Sequence, residues 1–361
     1  MKEIGSEFWL EHSNSIVGKG SFNKLIDFGN DKQLLYTGRT AIDYVLEDIK
    51  ESIRSVYMPA YCCSSMLQPF YERGIDIKFY EVTIENNEIV YDINFEKDID
   101  IFFANSYFGY SSSTMDDIIN AFKIRNKIII EDITHRLLNK NNHSGTADYY
   151  IASLRKWFAI PSGGLAIKQH GNFKKIPLFK APDTVINKKI RAMHIKREYM
   201  NTSNNSIIKK SDFLELFAEF NNSIKSNYKY LMIDDLSRGI LREINITELK
   251  KKRKENVKYI YDNLEVTRDI SFLIEKPEYD DDCLLFLPLI IKNDVRAKLR
   301  EYLISKSIYC PVHWPIPTKA VSKQYNTELY QQELSLVCDH RYGLYEMDKI
   351  VKMIGEFQST L

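Results

Sequence analysis

Short, uninterrupted apolar runs alternate with amphipathic helical segments through the first half of the chain. The runs are VYMPA (56–60), IKFYEV (77–82), DIDIFFANS (98–106), KIIIED (127–132), YYIAS (149–153) and GLAIK (164–168). The segment 42–49, which precedes the first run, and the segments 62–71 and 115–125, which lie between runs, carry apolar side chains at helical spacing. Strands that are apolar throughout are buried on both faces, and the crossover helices of a parallel sheet provide that cover. We therefore predict an α/β protein with a mostly parallel central sheet.

A different pattern begins near residue 264 and predicts a second domain. LLFLPLII (284–291) reads as a strand, residues 295–303 as an amphipathic helix and residues 347–357 as a C-terminal helix. The length of 361 residues is enough for two domains. We predict an N-terminal arm (1–34), a large α/β domain (35–245) and a small C-terminal α+β domain (246–361).

Composition excludes several classes of function. The net charge of +1 does not indicate the excess of positive charge that is typical of nucleic-acid-binding proteins. No apolar run reaches the roughly 18 residues that a membrane helix needs. The five cysteines are an odd number without a CxxC pair, which favours neither a disulfide framework nor a metal site. The N-terminal segment MKEIGSEFWLEHSNS is too polar for a secretory signal, so we expect a cytoplasmic protein.

Two charged residues stand at the ends of predicted strands. Asp132 ends a run of three isoleucines, and Lys156 follows YYIAS and precedes Trp157. Because parallel strands deliver their carboxyl ends to one sheet edge, these side chains are expected to meet. Pyridoxal phosphate needs a lysine to hold its aldehyde as an imine and a carboxylate to hold its ring nitrogen. We interpret Lys156 as the Schiff-base lysine and Asp132 as the partner of the ring nitrogen.

The same cofactor needs an anion site for its phosphate and a polar group near its ring hydroxyl. Residues 37–40 (TGRT) stand at the start of an amphipathic helix, where free N–H groups attract anions, and Ser153 ends a predicted strand. His135 is three residues from Asp132 and can reach the same ring. Each residue alone also fits a helix cap, a buried core histidine or a surface lysine. Their joint occurrence at strand and helix ends favours the cofactor.

Several short segments stand in a specific order and spacing. They are GRTA (38–41), VYMPA (56–60), YFG (107–109), EDITH (131–135), SLRKW (153–157) with GG (163–164), HWPIP (313–317), LSL (334–336) and HRY (340–342). Together they resemble the sugar aminotransferase family typified by DegT and StrS, within the fold-type I pyridoxal-phosphate enzymes. The resemblance covers most of residues 35–355.

The resemblance implies an aminotransferase that moves an amino group from an amino-acid donor such as glutamate to a nucleotide-linked keto-sugar, working as a homodimer. Lys156 would be both the imine lysine and the proton shuttle. The cofactor-binding residues it implies are Asp132, His135, Gly38, Arg39, Thr40, Ser153, Tyr61, Cys63 and Asn105. The substrate-binding residues are His313, at the substrate mouth, and Tyr107. No metal is implied.

The sequence also departs from the family. The position four residues after Pro59, which often carries an aromatic that stacks on the cofactor, is Cys63, and Tyr61 is the nearest substitute. The family's Asn-containing segment that reaches the neighbouring subunit's phosphate is not recognisable between 169 and 210, and Arg155 beside the lysine is unusual. Two alternatives therefore stay open. One is another pyridoxal-phosphate reaction (lyase, acyl-condensing or epimerase), and the other is a non-catalytic binding module on the same fold.

Overall fold

The fold is taken from a computed structural model that describes residues 3–10, 20–49, 53–202, 208–292, 295–318, 321 and 324–361. The strands of these residues are β1 Ile4–Gly5, β2 Asp31–Leu35, β3 Ser55–Pro59, β4 Asp76–Glu85, β5 Glu88–Asp92, β6 Ile101–Asn105, β7 Ile128–Asp132, β8 Tyr149–Ser153, β9 Gly164–Lys168, β10 Phe179–Lys180, β11 Leu231–Met232, β12 Ile270–Phe272, β13 Leu287–Ile291, β14 Ile308–Tyr309 and β15 Glu333–Leu336. The helices are α1 Ser21–Leu25, α2 Gly38–Ile49, α3 Ser64–Tyr71, α4 Asp116–Ile124, α5 Asp183–Asn201, α6 Lys210–Ser226, α7 Asp235–Glu243, α8 Ile246–Asn263, α9 Val295–Ser305, α10 Glu328–Gln332 and α11 Leu344–Gln358.

The largest sheet of the described residues has ten strands in the order β10-β11-β2-β9-β8-β7-β6-β3-β4-β5. The central run from β4 through β3, β6 and β7 to β8 is parallel, and β9 and β2 join it antiparallel. Every residue of β3 and β6 is buried, as expected for strands covered on both faces. The predicted α/β fold with a mostly parallel sheet is confirmed.

One edge of this sheet is a hairpin that the apolar pattern did not predict. Strand β4 continues past the predicted residue 82 to Glu85 and returns as β5. The two-residue turn is made by Asn86 and Asn87, whose φ angles are 52° and 61°. Asparagine tolerates this left-handed conformation, which two-residue hairpin turns require. The Asn-Asn pair was thus the sequence signal for the turn. Strand β5 (EIVYD) was not predicted because charged residues stand at both of its ends.

The C-terminal part of the chain forms a separate antiparallel sheet in the order β12-β13-β15. All five residues of β13 are buried, and helices α9 and α11 contact each other beside this sheet. The structure therefore has the predicted small α+β part. Residues from the predicted arm join both units, because β1 pairs with β14 and β2 pairs with β9.

A buried ion pair fixes the loop that follows β7. Arg136 Nη1 lies 3.0 Å from Glu131 Oε1 and 2.8 Å from Asp116 Oδ1. Glu131 and Arg136 are both buried. Burial raises the pKa of Glu131, and the charge of Arg136 opposes that rise. Because Asp132 and His135 lie between the two partners in the chain, the ion pair holds the segment that carries both.

Replacing Arg136 with Met should lower the free energy of unfolding by about 3–5 kcal/mol, because Glu131 would remain buried without a counter-charge. Urea denaturation followed by circular dichroism measures the change. The double variant with Glu131→Gln removes the stranded charge and should recover part of the loss. Arg125→Met, at an exposed position of the same region, is the matched control and should change stability by less than about 0.5 kcal/mol. An R136M variant as stable as this control would contradict the role of the pair.

Candidate functional site

Asp132 and Lys156 lie at the ends of adjacent strands and line one cavity. Asp132 is the last residue of β7, and Lys156 ends a short 3-10 turn that follows β8. The two strands are parallel neighbours in which Asp132 is paired with Ile151. This cavity, which we call the sheet-edge cavity, has a volume of about 320 Å³. Its lining consists of Glu7, Thr37, Gly38, Arg39, Ile42, Cys63, Ser65, Met66, Asp132, Thr134, Ile151, Ser153, Arg155, Lys156, Asn221 and Ile224.

The amine of Lys156 faces a histidine whose tautomer is set by its other ring nitrogen. Lys156 Nζ lies 3.3 Å from His135 Nε2, and the backbone N–H of Phe108 donates to His135 Nδ1 at 3.0 Å. A neutral imidazole that accepts at Nδ1 carries its proton on Nε2. Burial, together with the charges of Lys156 and His313, holds the pKa of His135 well below its usual value. His135 is therefore neutral, and it presents an N–H donor at Nε2 on the side where Lys156 lies.

The low pKa of His135 predicts the sign of one pH effect on stability. Below about pH 6.5 the unfolded chain binds a proton that folded His135 does not bind, so stability falls as the pH drops, and above that pH His135 has no effect. At pH 5.5 the loss from this residue should be at most about 1.4 kcal/mol relative to pH 7.5, the limit for a folded histidine that binds no proton. Urea denaturation of the cofactor-free protein at both pH values measures it. His135→Gln should reduce the loss and His170→Gln, at an exposed position, should not; equal losses in H135Q and wild type would refute the assignment.

Asp132 lines the sheet-edge cavity with a buried carboxyl group. Its side chain is buried, and Oδ1 accepts a hydrogen bond from the backbone N–H of Thr134 at 2.8 Å. Burial raises the pKa of Asp132, while Thr134 and the charge of Lys156 oppose the rise. A carboxylate in this setting is stabilised by a cationic partner. The site therefore suits a ligand that presents a protonated ring nitrogen.

The N-terminus of α2 forms the wall nearest to Ser153. A Cβ on Gly38 would lie 2.9 Å from Ser153 Cβ, so glycine is the residue that lets the helix start approach this strand end. The backbone N–H groups of Gly38 and Arg39 donate to no described residue. Arg39 Nη1 donates to the carbonyl of Ile224 at 2.6 Å, and its Nε is buried without a partner among the described residues. Such a helix start is suited to a phosphate.

Thr40 is placed differently from the other residues of this helix start. Its hydroxyl donates to the carbonyl of Tyr228 at 2.8 Å, and its backbone N–H is capped by Thr37 Oγ1 at 3.1 Å. Thr40 is fully buried and is not part of the cavity lining. Its predicted contact with phosphate stays a prediction, while its observed role is to hold the start of α2.

Four other predicted site residues, Tyr61, Asn105, Tyr107 and His313, lie outside the lining of the sheet-edge cavity, as His135 does. Tyr107 donates its hydroxyl to the carbonyl of Tyr61 at 2.5 Å, and the Tyr61 hydroxyl donates to the carbonyl of His313. Asn105 is paired with Asp132 in the register of β6 and β7, and its Nδ2 is buried without a partner among the described residues. All four are buried. Their contacts with cofactor or substrate remain predictions, whereas the predicted residue Cys63 does line the cavity.

Several residues in or beside the site were not among the predicted ones, and three of them are described here. Thr134 ties the two strand ends together, because its Oγ1 accepts from the backbone N–H of Ser153 and its carbonyl accepts from Trp157 Nε1. Trp314 is an aromatic next to the lysine, with 5.6 Å between Lys156 Nζ and its ring centroid. The segments EDITH and HWPIP contained both residues. Glu7 comes from the N-terminal arm, and no local pattern marked it.

No protein-family model and no curated protein sequence matches the chain. Solved structures do match it. DesV from S. venezuelae, in complex with a ketimine intermediate, is 13% identical with a TM-score of 0.64, and the match covers 98% of this chain and 91% of that chain. PseC from Helicobacter pylori, an aminotransferase involved in the biosynthesis of pseudoaminic acid, is 14% identical over 100% of both chains with a TM-score of 0.64. NtdA from Bacillus subtilis, with bound cofactor PMP, is 14% identical with a TM-score of 0.61, covering 95% of this chain and 78% of that chain.

These likenesses extend over almost the whole of this chain and establish its fold. The chain shares the fold of these proteins, so the predicted fold is confirmed. Among the described residues, no helix combines the length and the apolar character that crossing a membrane requires.

Proposed function

We propose that the chain is a pyridoxal-phosphate-dependent aminotransferase that moves an amino group from an amino-acid donor, such as glutamate, to a nucleotide-linked keto-sugar. The observation that carries this proposal is the convergence of Lys156, Asp132 and the start of α2 on one cavity of about 320 Å³. An amine, an acid and an anion site are the groups that the cofactor requires. The shared fold with the aminotransferase PseC, and with NtdA bound to PMP, supports the same reading.

The residues present fit the cofactor part by part. Asp132 would pair with the ring nitrogen, and His135 would donate from Nε2 toward the ring hydroxyl. Ser153 and the backbone N–H groups of Gly38 and Arg39 would hold the phosphate. The buried Nε of Arg39, which has no partner among the described residues, and the space that a Cβ on Gly38 would fill both suit an anionic group at this point.

Each of these residues has a defined task in amino transfer. The cofactor, when bound, supplies an electron sink for the electron pair of the broken C–H bond. Lys156 Nζ would hold the cofactor covalently, and after the amino group of the donor has taken its place the free amine would be the base that removes the proton from the donor carbon. Asp132 keeps the ring nitrogen protonated. His135 stays neutral, so its Nε2–H donates throughout without competing for that proton.

We further propose that the protein acts as a homodimer in the cytoplasm. The homodimer is the assembly that the family resemblance implies, and light scattering of the purified protein tests it. Each of the five cysteines is a free thiol, and four of them are buried, which suits a reducing compartment.

The proposal is tested by following the absorbance of the Lys156-linked cofactor when L-glutamate is added to the purified, cofactor-loaded protein. We expect loss of that absorbance and release of 2-oxoglutarate. Glutarate, which has both carboxylates but no amino group, is the control and should leave the linkage intact. A linkage that forms but responds to no amino donor would point to another reaction of the cofactor, and a chain that never binds the cofactor would refute the proposal.

A further inference from the structure

One buried arginine of the small C-terminal unit lies against the turn that carries Lys156. Arg253 belongs to α8, which packs against α11. Only 1% of its surface is exposed, and its Cζ lies 4.6 Å from the ring centroid of Trp157, the residue that follows Lys156. Arg253 therefore joins the small unit to the site without lining the sheet-edge cavity.

Trp157 connects Arg253 with the segment that holds Asp132. The indole is fully buried, and its Nε1–H donates to the carbonyl of Thr134 at 2.6 Å. The backbone N–H of Thr134 donates to Asp132 Oδ1 at 2.8 Å, and Thr134 Oγ1 accepts from the backbone N–H of Ser153 at 2.9 Å. A shift of the indole would therefore move Asp132 and the end of β8 together.

A second set of contacts connects Arg253 with His135. Arg253 Nη1 donates to the carbonyls of Leu284 and Leu285, in the segment before β13, at 3.2 and 3.1 Å. The backbone N–H of Leu285 donates to the carbonyl of Phe108 at 2.9 Å, and the backbone N–H of Phe108 donates to His135 Nδ1 at 3.0 Å. The same guanidinium therefore lies between the supports of the acid and of the histidine.

The charge of Arg253 is balanced within the protein. Asp339 is buried near Arg253 and is also paired with Arg341 at 2.7 Å. Burial would raise the pKa of Asp339, but the charges of Arg341 and Arg253 hold it below its usual value. Buried ion pairs stabilise a protein little, or not at all, relative to apolar side chains of similar size. A buried arginine here is therefore better explained by the orientation that its planar fork imposes on its partners.

We propose that Arg253 is a positioning residue for amino transfer. Through Trp157 it fixes the carboxyl group of Asp132, and through the segment before β13 it fixes the neutral imidazole beside Lys156. The relative placement of these two groups thus depends on the small C-terminal unit, although neither group belongs to it. The inference rests on the proposed function, because this placement affects a reaction only when the cofactor is bound between the groups.

Amide hydrogen exchange of the cofactor-free protein, read by mass spectrometry of short peptides, tests the contacts themselves. In Arg253→Met, the peptides that contain Thr134 and Phe108 should exchange at least about tenfold faster than in the wild type, because both segments lose a fixed neighbour. Arg253→Lys keeps the charge without the planar fork and should give an intermediate change. Lys251→Met, at an exposed position on α8, is the matched control and should exchange as the wild type does. Unchanged exchange of both peptides in R253M would overturn the inference.

In the cofactor-loaded protein, a positioning role affects rate far more than affinity. At saturating cofactor, R253M should slow the half-reaction with L-glutamate by about 10–100-fold, the cost of a small misplacement of reacting groups, while its affinity for the cofactor changes much less. Trp157→Phe keeps an aromatic ring beside Arg253 but removes the N–H that donates to the carbonyl of Thr134, and it should slow the same step by about tenfold. Trp9→Phe is the matched control, because Trp9 also lies beside an arginine, with 4.9 Å between its ring centroid and Arg341 Cζ, and it should keep the rate.

The double variant R253M/W157F tests whether Arg253 acts through the indole. Because the two changes affect one series of contacts, the combined slowing should be smaller than the product of the separate effects. A combined slowing equal to that product within about twofold would overturn the inference. W157F and R253K keep the inference open to refutation even if R253M does not fold.

Failure of the proposed function gives a different result from failure of the inference. A wild type that never attaches the cofactor would refute the proposed function, whatever the exchange rates of R253M are. A wild type that transfers amino groups, together with R253M and W157F variants that transfer them equally fast, would refute the inference alone.

Discussion

Replacing Lys156 with Ala is expected to abolish covalent attachment of pyridoxal phosphate and to slow amino transfer by at least about 10³-fold. The expected size of the effect follows from the two tasks proposed for one atom, since Nζ would both hold the cofactor and move the proton. His135 cannot take over as base, because its Nδ1 accepts from the backbone N–H of Phe108 and its Nε2 carries a proton. Absorbance of the linkage and single-turnover rates with L-glutamate measure the two losses separately.

The control for this variant is Lys175→Ala, which removes an exposed lysine of the same unit. It should keep both the linkage absorbance and the rate. A K156A variant that retains the linkage would show that another lysine holds the cofactor, and one that transfers amino groups within tenfold of wild type would show that Nζ is not the proton carrier.

Asp132→Asn is expected to leave the cofactor attached and to slow amino transfer by about 10²–10³-fold, the cost of removing one group that stabilises the transition-state charge. The amide keeps the shape of Asp132 and can still accept from the backbone N–H of Thr134, which Oδ1 does at 2.8 Å. It cannot keep a ring nitrogen protonated, so the electron sink weakens while the phosphate contacts stay. The two quantities to compare are the affinity for the cofactor and the rate of the glutamate half-reaction.

Asp117→Asn, at an exposed position on α4, is the matched control and should change neither quantity. If D132N lost cofactor affinity as well as the rate of the half-reaction, Asp132 would be needed for the structure of the whole site. An unchanged half-reaction rate would refute its assignment to the ring nitrogen.

The central strands could be predicted because the apolar residues that require burial lie within each strand's own sequence. The three consecutive isoleucines at the start of Ile128–Asp132 put apolar side chains on both faces of the strand, and only a strand covered on both faces makes such a run favourable. The two-residue strands β10 and β11 carry no such pattern, since Phe179 and Lys180 are both exposed. The strand β2 was assigned to the arm because its sequence DKQLL is polar at one end, and its pairing with β9 depends on contacts distant in sequence.

The candidate site was predictable where chemistry coincides with a strand end. Asp132, Ser153 and Lys156 each follow or end an apolar run, and the structure brings them to one cavity. Residues that reach the site from elsewhere in the chain could not be found in this way. Glu7 is held over the cavity by Lys189 of α5, a contact between residues 182 positions apart. Arg155 was visible as an unusual neighbour of the lysine, but its place in the cavity lining required the fold.

The most direct test of the central assignment is borohydride reduction of the purified, cofactor-loaded protein followed by mass spectrometry of its peptides. Reduction converts a Schiff base into a stable bond and so marks the lysine that held the cofactor. The expected result is a pyridoxyl group on Lys156 alone, absent when the protein is reduced without cofactor. A pyridoxyl group on a different lysine, or no modified peptide at all, would contradict the account given for this site.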